Sequence, residues 1–208
     1  MTVLVIASGN AGKVREFAHL LEALPLEVRP MPEGMEVEET GHTFAENARL
    51  KATAVALATG CWALADDSGL AVDALGGAPG VHSARYADSD AARIERLLTE
   101  MEGAPERGAC FVCALAVADP LGVVRLEVEG RCPGTILEAP RGTAGFGYDP
   151  VFEVAGTGRS FAEMAKEEKA RLGHRGQAFA ALEPQLGELL GEPLGEPLSS
   201  SIEKFGDN

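Results

Sequence analysis

The chain has 208 residues, 46% of them apolar and 24% charged, which is enough for one substantial core and unlike a disordered protein. Eighteen basic against 32 acidic side chains leave a formal charge of −14, which excludes general nucleic-acid binding through clustered Lys and Arg. No stretch approaches the ~18 uninterrupted apolar residues of a membrane helix, and the short apolar N-terminus lacks the basic segment and cleavage site of a signal peptide.

Val3 to Ala7 form an apolar, β-branched run that predicts a buried strand. After Ser8-Gly9-Asn10-Ala11-Gly12-Lys13, the residues Val14, Phe17, Leu20, Leu21 and Leu24 recur at helical spacing until Pro25. Strand, Gly-bearing turn and amphipathic helix in that order indicate an α/β unit. Thr43 and Glu46 have the spacing of a capping box, so a second helix is expected from there to Gly60. Cys61 to Ala65 reads as a further strand that delivers Asp66 and Asp67 at its C-terminal end. Residues 76–86 are turn-rich and Asp88 to Glu102 helical. Ala109 to Ala118 and Val123 to Glu129 form a strand pair joined at Asp119-Pro120-Leu121-Gly122. Ser160 and Glu163 form a second capping box before a helix carrying Lys166 and Lys169. A last helix spans about Gly176 to Leu190. Residues 1–190 thus read as a single domain and 191–208, with its doubled GEPL, as an extended tail. The cysteines Cys61, Cys110, Cys113 and Cys132 lie in apolar surroundings, so free thiols and a cytoplasmic location are expected.

Four segments suit chemistry on an anion. Ser8 to Lys13 stands between strand and helix, where backbone N–H groups and the helix dipole favour negative charge and Lys13 adds a mobile cation. It is not a Walker P-loop, since Ala7 and Val14 occupy two of that motif's fixed positions. Asp66-Asp67-Ser68-Gly69 sets two carboxylates on opposite faces of a strand: one can bind Mg²⁺ or activate water while the other braces the loop. Glu36, Glu38 and Glu39 lie just ahead of the second helix, where one of them can complete an oxygen-rich Mg²⁺ site. Phe146-Gly147-Tyr148-Asp149 offers an aromatic platform beside a carboxylate, and Lys169, His174 and Arg175 supply cations near helix ends. Cys110-x-x-Cys113 has zinc-knuckle spacing but lies within an apolar strand, where positions i and i+3 face opposite sides.

These segments together resemble the inosine triphosphate pyrophosphatases, the non-canonical purine nucleoside triphosphate pyrophosphatases. The resemblance rests on SGNAGKVREF (8–17), EETGHTFAENARLKA (38–52), ADDSGLAVDALGGAPGVHSARYA (65–87), PRGTAGFGYDPVF (140–152) and FAEMAKEEKARLGHRGQAF (161–179), and so covers almost everything except the tail. Ser8 stands where many members have Thr, and Gly173 where Ser commonly precedes His-Arg. The resemblance implies an α/β fold: an elongated mixed β-sheet with flanking helices in two lobes around a central cleft, assembled as a homodimer. It implies Mg²⁺-dependent hydrolysis of dITP, ITP and XTP to the monophosphate and pyrophosphate. Asp67 would be catalytic base and metal ligand, with Glu38 the second ligand. Ser8, Gly9, Asn10, Ala11, Gly12 and Lys13 would hold the triphosphate. Ser68, Phe146, Gly147, Tyr148, Asp149, Lys169, His174 and Arg175 would complete the substrate site. A relative acting on pyrimidine or modified triphosphates, and a nucleotide-binding regulator without catalysis, are the rival readings.

Overall fold

The structure is a computed structural model that describes residues 2–190; the expected tail lies outside them. Its frame is one six-stranded sheet in the order β2-β1-β3-β4-β5-β6. Strands β1 (Thr2–Ile6), β2 (Leu26–Pro30) and β3 (Trp62–Val72) are parallel, and β4 (Gly108–Ala118), β5 (Val124–Ile136) and β6 (Phe152–Val154) continue the sheet antiparallel. Helices α1 (Ala11–Leu20), α2 (Phe44–Thr59), α3 (Asp90–Glu100), α4 (Lys166–Leu172) and α5 (His174–Leu190) flank it. Among the described residues no helix is long and apolar enough to cross a membrane.

Three clusters of buried side chains divide this frame. On one face of its parallel end, α1 and α5 cover Leu4, Ile6, Leu64 and Leu115. On the other face α2 packs Ala48, Ala52 and Ala56 against Ala63, Ala65, Ala114, Ala116 and Ala118. Side chains this small let a helix backbone lie close to a sheet, and the two-residue alternation along β3 and β4 separates the bulky face from the alanine face. The third cluster lies at the far end, where Leu70, Val72, Phe111, Ile136, Phe152 and Phe161 meet Leu97 and Met101. Strands β3, β4 and β5 run through both ends, and the two lobes share them.

The α2 capping box forms as expected: Glu46 N–H donates to Thr43 Oγ1 and the Glu46 carboxylate accepts from Thr43 N–H, while Gly60 closes the helix in the left-handed conformation. Four expectations need correction. The third strand does not stop at Ala65. It runs on to Val72, because β4 pairs with it without a break from Ala63↔Ala118 to Val72↔Ala109, so Asp66 and Asp67 lie in mid-strand. Strand β5 passes through Gly130, Pro133 and Gly134 to Ile136; Gly130 is needed there because α5 crosses directly above it. The Ser160–Glu163 box opens only a short 3₁₀ turn, and the helix carrying Lys169 begins separately at Lys166. The last helix starts at His174, ahead of Gly176. Strand β2 follows Pro25 directly and was hidden by its polar Glu27 and Arg29.

Two consequences of α5 seating are measurable. A methyl group on Gly130 would run into the backbone of His174 and Ala178, so Gly130→Ala should cost about 2–3 kcal/mol in denaturant unfolding through overpacking. His174 is buried and stacked on Phe111 at 4.8 Å, and burial, then the nearby Arg175 and Lys169, push its pKa well below the usual value. The folded state therefore resists a proton that the unfolded chain accepts, so this contribution to stability is present above about pH 6.5 and lost as pH falls below it, by about 1.4 kcal/mol per pH unit. His174→Gln should flatten that part of the stability–pH curve relative to the unaltered chain.

Candidate active site

Strand β1 pairs with β3 only as far as Leu64, where Ala7 N–H donates to Leu64 O. Beyond it the two chains part, and the turn after β1 opens beside Asp66, Asp67 and Ser68. Ligand sites in α/β sheets form at such a point. Successive residues of β3 face opposite sides, so Asp66 is aimed at α1 and α5 and Asp67 at α2.

Asp67 Oδ2 accepts from Asn47 Nδ2 at 3.1 Å, and its Oδ1 lies 3.3 Å from Lys51 Nζ. Asn47 and Lys51 are one helical turn apart on α2, and the alanine packing of that helix brings both within reach of the strand. Burial raises the Asp67 pKa, with Glu39 adding to the effect and Lys51 and Lys13 opposing it. Glu39 sits 2.8 Å from the same Lys51 ammonium and 2.6 Å from Arg85. Burial alone would raise its pKa, but these two cations hold it below the usual carboxylate value. Lys51, although desolvated, is held above its ordinary value by Asp67, Asp66 and Glu39.

Glu38, the expected second metal ligand, is exposed and does not line the cleft; its neighbour Glu39 does. The segment before α2 alternates inward and outward, and Glu39 has the inward phase. Among the described residues no three His, Cys, Asp or Glu side chains cluster as a metal cage. Two hard oxygen donors converging on one ammonium nevertheless suit Mg²⁺, which characteristically takes one or two carboxylates and fills its remaining positions with phosphate oxygens and water.

Asp66 is fully buried. Lys13 Nζ lies 2.8 Å from its Oδ1, Arg175 Nη2 3.3 Å from its Oδ2, and Cys113 Sγ 3.6 Å from Oδ2. Burial would raise its pKa, yet Lys13 and Arg175 hold it far below the usual range. It is the bracing carboxylate of the pair. Lys13 is accordingly not a mobile cation but an anchored one, because a buried carboxylate without a partner would be strongly destabilising. The turn before it also differs from expectation. Asn10 caps α1, taking the N–H groups of Gly12 at 2.8 Å and Lys13 at 3.1 Å on its Oδ1, while Ser8 Oγ accepts from Asn10 N–H. Those donors are occupied, and an anion must replace the Asn10 carbonyl to use them. Asn10, Ala11, Gly12 and Lys13 line the cleft; Ser8 and Gly9 are not among its lining residues.

The opposite wall comes from the second half of the chain. Asp149 Oδ2 accepts from Phe146 N–H at 2.9 Å and from Lys169 Nζ at 2.7 Å, and Lys169 lies over the Phe146 ring at 4.7 Å. Burial raises the Asp149 pKa against the pull of Lys169. Arg175 donates to Ser68 Oγ at 2.9 Å and to Glu16, and Glu16 also meets Lys169 at 3.1 Å. Glu16 thus ties two site cations together. It escaped the sequence reading, although it stands one helical turn after Lys13. Tyr148 is buried and donates from its hydroxyl to Ser83 O, so its polar end is already committed to the fold.

The cleft so formed has a volume of about 390 Å³ and brings together both carboxylate partners of Lys51, the α1 turn and the Phe146 loop. Five cations, Lys13, Arg15, Arg93, Lys169 and Arg175, line it against four carboxylates, Glu39, Asp67, Asp90 and Asp149. A chain of net charge −14 has therefore gathered a cluster of cations into this hollow, most of them braced by carboxylates. Arg93 and Asp90 come from α3, which carried no motif.

Comparison with known proteins places this geometry. The chain is 65% identical over 190 residues to the dITP/XTP pyrophosphatase of Parasynechococcus marenigrum, covering 91% of this chain and 97% of that protein. It is 54% identical to the protein of the same name from Gloeobacter violaceus, covering 88% and 93%. Among solved structures it resembles a HAM1 protein from Coxiella burnetii, with a TM-score of 0.82 and 42% identity over 93% of this chain and all of that one. It also resembles the Staphylococcus aureus Ham1 protein, with a TM-score of 0.81 and 39% identity over 90% and 100%. The model of the Ham1 family matches residues 4–185, and the chain belongs to the Ham1 family.

Proposed function

We propose that this chain is a Mg²⁺-dependent hydrolase that cleaves dITP, ITP and XTP between the α- and β-phosphates. The products are the nucleoside monophosphate and pyrophosphate, and the effect is to keep deaminated purines out of DNA and RNA. The observation that carries the reading is Asp67, a buried carboxylate between Lys51 and Asn47 at the edge of a cleft of cations and one aromatic platform. The relatives named dITP/XTP pyrophosphatases support the substrate class. The family resemblance also points to a homodimer.

Hydrolysis at the α-phosphorus needs a base beside the attacking water and positive charge along the departing pyrophosphate. Asp67 serves as the base, its carboxylate held in place by Asn47 Nδ2 and Lys51 Nζ. Lys13, Lys169 and Arg175 are fixed by Asp66, Asp149 and Glu16, so they meet the phosphates already oriented. Asp67 and Glu39 are the side chains to hold Mg²⁺, which supplies neutralisation of the phosphate oxygens. Phe146 offers its ring to the base. Arg175 Nε–H is a buried donor without a protein partner among the described residues, and the Arg175 side chain lines the cleft. A 6-keto oxygen presents an acceptor to such a wall where adenine presents an amino donor, and unmatched donors discriminate strongly.

Pyrophosphate release from dITP, XTP, dGTP and dATP, with and without Mg²⁺, tests the reading. Fast release from dITP and XTP alone, abolished by a chelator, is expected; orthophosphate as product, or equal rates on all four, would overturn it. Asp67→Asn should lower kcat by about 10²–10⁴-fold while thermal unfolding stays within a few degrees. Wild-type turnover by that variant would remove Asp67 as the base.

A further inference from the structure

The loop Gly145 to Asp149 carries the aromatic platform, and three attachments hold it. Two are buried and belong to the motif itself: Asp149 receives Phe146 N–H and Lys169, and the Tyr148 hydroxyl donates to Ser83 O. The third comes from outside every motif. Gly147 N–H donates to Asp90 Oδ2 at 2.7 Å, across 57 residues of sequence.

Asp90 is the first residue of α3, following the cap in which Ser89 Oγ accepts Ala92 N–H. Its second oxygen, Oδ1, accepts from Arg93 Nη1 at 2.6 Å, and Arg93 Nε donates to Ala87 O at 3.0 Å. The guanidinium therefore fixes the rotation of the carboxylate, and the carboxylate fixes the amide it receives. Gly147 has φ +61°, a conformation open to glycine and strained for other residues, so the direction of the neighbouring Phe146 depends on where this peptide is pinned. The Phe146 ring in turn touches the position a side chain on Gly12 would occupy, which closes the cleft from the α1 side. Asp90 and Arg93 both line the cleft, while the hydrogen bonds of Asp90 go to Gly147 and Arg93 and not to Lys13, Asp67 or Arg175.

We infer that Asp90, oriented by Arg93, is a positioning residue for nucleobase binding, acting through Gly147 on the Phe146 platform and leaving the triphosphate end unaffected. The inference rests on the reading of this cleft as a purine nucleoside triphosphate site. It predicts a separation that a negative charge lining the cleft would not give by itself. Removing a carboxylate from the path of an anion should tighten binding of any polyphosphate, whereas removing a tether of the base platform should weaken nucleotides only.

The experiment compares the full chain with Asp90→Ala, Asp90→Asn, Arg93→Gln and Ser89→Ala. It measures KM and kcat for dITP by pyrophosphate release, and the inhibition constant of inorganic tripolyphosphate, which has phosphates but no base. For Asp90→Ala the KM should rise about five- to tenfold, the order expected for one partly exposed, charge-assisted hydrogen bond. Its kcat should stay within about twofold, and tripolyphosphate inhibition should be unchanged. Asp90→Asn keeps an oxygen for Gly147 and should recover most of the affinity. Arg93→Gln leaves the carboxylate free to turn and should give a smaller rise in KM, accompanied by weaker tripolyphosphate inhibition because it also removes one of the cleft's cations. Ser89→Ala removes the cap of the same helix and should lower the Tm without moving KM. An unchanged KM in Asp90→Ala, or a parallel shift of KM and tripolyphosphate inhibition in that variant, would overturn the inference. Absence of dITP turnover in the unaltered chain would instead overturn the functional reading on which it rests.

Discussion

Everything at this site follows from placing two adjacent carboxylates in the middle of a buried strand. Neither Asp66 nor Asp67 can stay ionised there without cations, and the pleat forbids them from sharing one face. The protein therefore brings positive charge from both sides of the sheet: Lys13 and Arg175 from α1 and α5 beneath Asp66, Lys51 from α2 above Asp67. The two environments diverge. Asp66 has two close cations and is held as a permanent anion; Asp67 has one, shared with Glu39, and is left with a raised pKa. The two carboxylates differ because of how many charges surround each, not because of any difference in side chain.

The same bracing explains how so acidic a chain holds cations in its cleft. Three of the site cations are paired with carboxylates: Lys13 with Asp66, Lys169 with Asp149 and Glu16, Arg175 with Asp66 and Glu16. The acids set the positions of the bases, and long side chains lose their rotamer freedom before any ligand arrives. Net charge of the whole chain is then a poor guide to the local field.

Much of this was legible in the sequence because it is local. The α2 cap, the strand–turn–helix at the N-terminus and the opposed directions of Asp66 and Asp67 are short-range consequences of residue type and spacing. What was not legible depends on partners far away in the chain. The persistence of β3 to Val72 is decided by β4, and β5 crosses Gly130 and Gly134 because α5 and Phe152 lie against them. Asp90 and Arg93 enter the site through helix placement outside every motif-bearing segment, while Glu16 and Asn47 lie within the segments 8–17 and 38–52, whose spacing does not show the partners they meet. Glu38 and Glu39 are adjacent and chemically equal, and only the phase of an extended segment separates the exposed one from the one that reaches Lys51.

Strands β3 and β4, each eleven residues long and hydrogen-bonded along their shared length, belong to both lobes at once. A cleft framed this way has no single pivot. Any opening of it would flex the β3–β4–β5 ribbon, distributing small changes of torsion over many peptides, as a leaf spring does and a door hinge does not. Asp66 and Asp67 ride on that ribbon, so any flexure of it also bears on the spacing of the two carboxylates from their cations. Mechanical compliance and electrostatics are coupled here through the same stretch of backbone.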